Sequence, residues 1–413
     1  MAKIAVMGHG VVGSGVVEIT LVNGEQLKKR CGETIEVKRI LDLRDFPGLS
    51  YSNLFTKDFQ DIVNDEEISV VCEMMGGVSP AYEFTKACLE KGKSVVTSNK
   101  ELVAQKGAEL LQIAKQNNVN YFFEASVGGG IPIIRPLHQC LAANKIEEIT
   151  GILNGTTNFI LSKMLDDNMP FEEALALAQQ KGYAEKDPTA DIEGDDACRK
   201  ICILAALAYG NHIYPKDVHK EGISKLTLAD VRYARSWGGE IKLIGRAAPV
   251  ENGKVTIMVG PMLVPQDNML SSVDGVFNAV TVKGNMVDKV TFVGRGAGKS
   301  PTASAVVADV VDAVKSHGTS ISQTWIDNGE SMVADYLDDV VAYYMRVKTA
   351  DVSAAKAYVE QRLPEVEFLD YDGSTEDEIA FVTQPMVARE SHTLEQDLEQ
   401  NGIQPVSKLR ILQ

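Results

Sequence analysis

Long apolar runs are missing from this 413-residue chain. The most apolar stretch, ICILAALAYG at 201–210, falls far short of the roughly 20 residues that a bilayer-spanning helix needs. No membrane span is expected. Basic residues are also in deficit: 41 Lys and Arg stand against 57 Asp and Glu, giving a net charge of −16. An acidic surface repels phosphate backbones and anionic lipid, so neither nucleic acid nor a membrane is expected as a partner. An anionic cofactor is still allowed, because a phosphate pocket needs only local backbone amides. The six cysteines lack CxxC spacing, which argues against a disulfide framework or a zinc knuckle. Cys198 and Cys202 lie one helical turn apart and read as small buried thiols. Internal repeats and low-complexity tracts are absent. The opening MAKIAVMGHGVVG has no basic, apolar and small-residue leader pattern, so a cytoplasmic protein is expected.

What is present is apolar content. The chain is 45% hydrophobic, enough to fill sizeable cores, and longer than one core usually serves. Over residues 1–134 short apolar runs (KIAVMG, IEVKRILDL, SVVCEMMG, SVVTSN) alternate with helical patterns such as GSGVVEITLVNGEQLKKRCG and KELVAQKGAELLQIAKQNN. VNYFFEASVGGG reads as a further strand ending on glycines. This alternation predicts an α/β class with a parallel sheet. Residues 135–299 predict an α+β domain with a mixed sheet, whose open edges suggest subunit pairing. The helix at 300–318 is expected to return to the first domain, and 319–338 to be a linker. Residues 339–413 read strand–helix–strand–strand–helix–strand, the split-βαβ signature of a small separate domain.

Several motifs carry chemistry. Gly8-His9-Gly10-Val11-Val12-Gly13 follows a strand and opens a helix, the context in which a glycine turn holds a dinucleotide pyrophosphate. The next strand ends near Asp42 and Arg44. The acid suits the ribose hydroxyl of NAD, the arginine the extra phosphate of NADP, and both are present. Asn99-Lys100 lies at the end of a parallel strand, where open α/β sheets bind ligands. Glu124 precedes three glycines (EASVGGGIPII), whose bare carbonyls beside one carboxylate suit a hard cation or a plain domain crossover. In ILNGTTNFIL, a threonine-capped turn places amides and hydroxyls at a helix N-terminus. The run GYAEKDPTADIEGDDACRK (182–200) gathers six carboxylates. Asp196 and Lys200 stand at helical i, i+4 spacing, just before a strongly apolar segment. Glu185 is a candidate grip for a substrate ammonium. Asp187, Glu193 and Asp195 read as solvated.

In this order, from residue 4 to about 312, these motifs resemble the homoserine dehydrogenase family. VGRGAGKSPTASAVVADV completes the set. The resemblance implies a Rossmann domain and NAD(P)-dependent interconversion of L-homoserine and L-aspartate 4-semialdehyde in threonine and methionine biosynthesis. It implies Lys200, Asp196 and Lys100 as catalytic residues, and Glu185, Asp191 and Thr156 at the amino-acid site. Gly8, Gly10, Val11, Val12, Gly13, Arg44, Asn99, Lys100, Gly182 and Gly296 are implied at the cofactor, NADP rather than NAD by a small lean. Glu124, Val127, Gly129 and Ile131 match a loop for Na⁺ or K⁺, three of them through carbonyls only. A homodimer or homotetramer is implied. The C-terminal unit resembles an ACT-like regulatory domain but has TADVSAA where Asp-x-Pro-Gly is usual.

Overall fold

The computed structural model describes residues 1–321 and 323–413. They form two compact units. The first comprises Met1–Glu147, Arg199–Asp217 and Val280–Met332; the second comprises Glu148–Cys198, Val218–Ala279 and Val333–Gln413.

The first unit is built on strands β1 (Ala2–Met7), β2 (Ile35–Leu41), β3 (Phe55–Thr56), β4 (Ile68–Glu73), β5 (Ser94–Thr97) and β6 (Tyr121–Phe122). All pair in parallel, in the order β3-β2-β1-β4-β5-β6. The central strands are apolar on both faces because helices cover both sides. Ile4, Val6, Val70, Cys72 and Val96 meet Val16 and Val17 of the helix Val11–Val22 and Val306 and Val310 of the helix Lys299–Lys315 in one core. Those two helices meet at Gly15, where a Cβ would come 2.8 Å from the Ala303 Cβ. The strand order reverses between β1 and β4, and ligands of such sheets bind at that switch point.

Two local expectations are corrected. The helix expected from Gly13 to Gly32 breaks at Asn23 into Val11–Val22 and Gly24–Cys31. The strand expected through VNYFFEAS stops at Phe122, and Glu124–Ser126 form a tight 3₁₀ turn. The reason is chemical. The Glu124 carboxylate accepts the amides of Ile133 and Ile134 at 2.7 and 2.8 Å and of Arg135 at 2.8 Å, which folds the chain back on itself.

The second unit carries β7 (Ile146–Ile152), β8 (His219–Lys220), β9 (Gly239–Pro249) and β10 (Val255–Pro265). The chain continues through β11 (Phe277–Gly284), β12 (Asp288–Arg295) and the two-residue β13 (Val340–Val341). Then follow β14 (Tyr343–Lys348), β15 (Glu367–Leu369), β16 (Glu378–Val382), β17 (Met386–Val387) and β18 (Gln404–Ile411). In this unit the sheet runs β7-β9-β10-β18-β14-β16-β15. It is mixed: β9 and β10 are antiparallel, and β18 joins β10 in parallel through Met262↔Arg410 and Leu263↔Ile411. The C-terminal strands therefore extend the same sheet. Tyr343, Met345 and Phe381 of these strands pack with Val359 and Leu398 of the helices Val352–Arg362 and Ala388–Gln400.

Candidate functional site

The glycine turn after β1 has the geometry of a phosphate cradle. Gly8 sits at φ +93°, and a Cβ on it would lie 2.8 Å from the Met74 carbonyl oxygen. A methyl on Gly13 would fall on the Gly8 carbonyl, whereas nothing stands within 4 Å of one on Gly10. The turn is thus closed against the protein and open over the helix N-terminus, where free amides favour an anion. The residues present fit a dinucleotide. Val11 is exposed at that opening. His9 is buried among Phe46, Tyr51 and Phe55, with Nε2 3.2 Å from the Tyr51 hydroxyl.

Asp42 and Arg44 differ sharply. The Asp42 carboxylate accepts the His9 amide at 2.8 Å and three Arg44 N–H groups at 2.9–3.0 Å. The Arg44 guanidinium holds its carboxyl well below the usual range. Its side chain is 8% exposed, against 64% for Arg44. The acid is occupied by the protein and the guanidinium faces solvent.

Asn99 is buried and bonds in three directions. Its Oδ1 accepts the Leu102 amide and caps the helix Lys100–Gln116, while its Nδ2 donates to the Gly77 carbonyl at 2.6 Å. Its own amide donates to the Thr97 hydroxyl. That hydroxyl donates to Glu73, which also takes the Met75 amide at 2.8 Å. Burial pushes the Glu73 carboxyl up. Sequence reasoning missed Glu73, although a lone acid ending the apolar strand SVVCE before two glycines was a visible signal. Lys100 begins the capped helix.

The loop 124–131 packs backbone to backbone on the second glycine run. The Gly130 amide donates to the Arg295 carbonyl at 2.9 Å, and a Cβ on Gly129 would lie 2.6 Å from the Gly296 carbonyl carbon. The Glu124 carboxylate, committed to three amides, is spent as a cap. A cation bound there would meet main-chain carbonyls, a donor set that suits a hard monovalent ion. Val127 and Ile131 are buried. Beneath lies Asp309, whose Oδ2 accepts the Glu124 amide and whose Oδ1 accepts Arg135 at 2.7 Å. Among the described residues no His, Cys, Asp and Glu group is arranged to hold a metal through side chains.

In the second unit Asn154 organises the acid-rich run. Its Oδ1 accepts the Thr157 amide and caps the helix Gly155–Asp166, the task that the sequence suggested for a threonine. Its Nδ2 donates to Asp191 Oδ1 at 2.7 Å and to Asp196 Oδ2 at 2.9 Å. One amide therefore fixes the spacing of two carboxylates 37 and 42 residues away. Thr156 is buried and donates to the Tyr183 carbonyl at 2.7 Å. Gly182, at φ +73°, ends the helix Phe171–Gln180 in a turn that L side chains resist. The Glu185 side chain is exposed. Asp196 and Lys200 lie one turn apart on the single helix Asp195–Tyr209, and both are buried. The three acids read as solvated all have partners. Asp187 caps Thr189, Glu193 accepts the Ser224 hydroxyl at 2.8 Å, and Asp195 pairs with Lys220.

Residues 132–311 match the family model described as homoserine dehydrogenase, and residues 8–124 match that described as homoserine dehydrogenase, NAD binding domain. The chain belongs to the homoserine dehydrogenase family. It is 40% identical to the homoserine dehydrogenase of Pseudomonas aeruginosa over 373 residues, 88% of this chain and 85% of that one. With that of Neisseria gonorrhoeae the identity is 43% over 312 residues, 75% and 72% of the two chains. The crystal structure of a homoserine dehydrogenase from Thiobacillus denitrificans superposes with a TM-score of 0.90 at 35% identity, covering 100% of this chain and 98% of that one. A hyperthermophilic archaeal homoserine dehydrogenase mutant in complex with NADPH gives 0.64 at 30% identity, covering 76% and 97%. The chain is an NAD(P)-dependent oxidoreductase that interconverts L-homoserine and L-aspartate 4-semialdehyde, a step of threonine and methionine biosynthesis.

Proposed function

We propose that homoserine dehydrogenation here uses Lys200 for the proton, Asp191 and Glu185 for the substrate ammonium, and NADP in preference to NAD. The observation that carries the substrate assignment is the Asn154 amide, which holds Asp191 and Asp196 at a fixed separation. That amide sets Asp191, taken here for the substrate ammonium, beside Asp196, which stands one turn before Lys200. Bound nicotinamide supplies the hydride acceptor or donor. Lys200 donates a proton to the aldehyde oxygen in reduction, or withdraws one from the homoserine hydroxyl when neutral. Asp196, one turn earlier, favours the charged lysine, so donation in the reductive direction is its natural role. Lys100, at the capped start of its helix, orients substrate beside the nicotinamide. Thr156 completes the amino-acid site. Gly8, Gly10, Val11, Val12, Gly13, Asn99, Gly182 and Gly296 hold the dinucleotide.

Replacing Glu185 with Gln tests the ammonium grip. The KM for homoserine should rise by about tenfold, as loss of a charge-assisted contact implies, with the cofactor KM unchanged. Equal changes in both would remove Glu185 from the substrate site.

The NADP preference follows from the contrast at β2. The Arg44 guanidinium, though paired with Asp42, is 64% exposed, whereas Asp42 is 8% exposed and also holds the His9 amide, so a 2′-phosphate meets an accessible cation where a 2′-hydroxyl meets a covered acid. In the archaeal relative the bound cofactor is NADPH. Arg44→Ala should raise the KM for NADPH about tenfold and leave that for NADH within error. Initial rates with both coenzymes decide it.

Monovalent cation binding at the carbonyls of Glu124, Val127, Gly129 and Ile131 is part of the same proposal. Activity measured in choline chloride should recover on adding Na⁺ or K⁺, and indifference to both would leave the loop purely architectural. Residues 1–134 with the helix at 300–318 serve the dinucleotide, 135–299 the substrate and subunit pairing, and 339–413 an ACT-like unit joined by 319–338. A cytoplasmic homodimer or homotetramer fits the exposed Met286, Val287 and Val293 beside and within β12.

A further inference from the structure

Between Asp191 and Asp196 the chain turns at a hinge. The short helix Thr189–Ile192 ends, Gly194 takes φ +82°, and the long helix begins at Asp195. This hinge sets the vector between the two acids that Asn154 bridges. What holds it is the segment His219–Ser224 of the same unit. The Ile223 amide donates to the Ile192 carbonyl at 2.9 Å. The Ser224 hydroxyl donates to Glu193 Oε1, and the Lys220 ammonium pairs with Asp195. Gly222 permits the approach, since a Cβ there would stand 2.7 Å from the Ile192 carbonyl oxygen. The hinge is gripped on both sides of Gly194 by side chains that lie outside the acid-rich run.

The gripping segment is itself seated on β10 and on Tyr336, which Arg410 of β18 supports. β8 pairs with β10, and the Glu221 amide donates to the Val259 carbonyl at 2.8 Å. The His219 ring stacks on Tyr336 at 3.7 Å with the planes 6° apart. Arg410 of β18 stands over Tyr336, donates to its carbonyl at 3.3 Å, and pairs with Asp339 at 3.2 Å. The path from β18 to the acids is continuous in contacts.

We propose that Lys220 and Ser224 are positioning residues for homoserine binding, which hold Asp195 and Glu193 and so fix how Asp191 and Asp196 are presented, and that Tyr336 and Arg410 seat the segment bearing them. This rests on the assignment of Asp191 to the substrate site. Lys220 and Ser224 touch no reacting atom, so their effect is on substrate affinity through the hinge.

The experiment is steady-state kinetics of the full-length enzyme carrying K220M, S224A, K220R, Y336A or D191N. K220M and S224A should each raise the homoserine KM about two- to fivefold, the range of a partly exposed pair, while the cofactor KM stays put. K220R should restore most of the loss. The Lys220–Asp195 pair is 41% and 33% exposed, so salt screens it. The homoserine KM of the parent should therefore climb with added salt more steeply than that of K220M. Y336A should move the homoserine KM in the same direction. An unchanged homoserine KM in K220M, an equal rise in both KM values, absence of rescue by arginine, or the same salt slope in parent and K220M overturns the proposal. An unchanged KM in Y336A overturns the C-terminal seat. D191N separates the failures: a raised homoserine KM there with a normal K220M sinks only the positioning role, whereas a normal KM in D191N sinks the substrate assignment and the proposal together.

Discussion

Lys200→Ala should lower kcat by about two to four orders of magnitude, the usual contribution of a positioned proton donor, with the cofactor KM within about twofold. The expectation comes from burial and helical placement together. Lys200 is only 7% exposed and Asp196 only 5%, on one face of the helix Asp195–Tyr209. A lysine ammonium rarely leaves water unless it has work or a partner. The alternative is a lysine kept only for structure. Pre-steady-state reduction of aspartate semialdehyde separates the two. A proton donor slows the chemical step itself, and the loss should shrink as pH falls, because water and buffer acids then share the donation. A structural lysine would instead lower the melting temperature and leave the turnover of the folded fraction near normal.

Arg346→Met should destabilise the second unit by about 3–5 kcal/mol, the cost of stripping one partner from a buried ion network. Arg346 on β14 donates to Asp230 at 2.9 and 3.2 Å, to Glu378 at 3.0 Å and to the Thr227 hydroxyl at 3.0 Å. Tyr344 donates to Asp230 at 3.1 Å and Tyr233 to Glu378 at 3.3 Å. Burial pushes the Asp230 carboxyl up, yet the guanidinium outweighs it and holds the acid ionised below its ordinary range. Removing the cation leaves two buried acids with only hydroxyls and the Thr227 amide to answer them. The check is chemical denaturation followed by tryptophan fluorescence and circular dichroism. Asp230→Asn with Arg346→Met should recover part of the loss, since the uncompensated charge goes with its partner. A midpoint for the single variant close to that of the parent would show the network contributing little.

The acid linkage of that network has a definite sign. Asp230 has a folded pKa below its unfolded one, so its contribution is present above the unfolded value. It fades as pH falls through the unfolded and then the folded value. Glu73 runs the other way: its carboxyl is raised, so its ionisation weighs against folding as pH rises past the ordinary carboxylate range. The two oppose one another in the acid range, and Asp230 sits in the better-compensated site.

Much of the fold was legible in the sequence because local rules encode it. Period and flanking glycines announce a strand or a helix, and continuous apolar runs announce a sheet covered on both faces. The strand–turn–helix around Gly8, the helix from Asp195 and the helix from Lys100 needed nothing more. What local rules missed has one cause. Side-chain chemistry chose partners far along the chain. Glu124 stands beside bare carbonyls in the sequence, and its carboxylate takes three amides because residues 133–135 return to it. Asp187, Glu193 and Asp195 looked solvated, yet two of them pair with a segment about 25–31 residues further on.

By itself the sequence determined the α/β class, the glycine turn between β1 and the first helix, and the placement of Asp196 and Lys200 one turn apart on one helix. Those are properties of spacing, and backbone periodicity turns spacing into direction. Only the tertiary structure decided that Asp42 is spent on His9 and Arg44, that Asn154 holds Asp191 and Asp196 apart, and that β18 adds to β10. Each of these needs a donor and an acceptor from distant stretches to meet at bonding distance. A hydrogen bond falls away over fractions of an ångström, and no pattern along one strand or helix specifies that closeness.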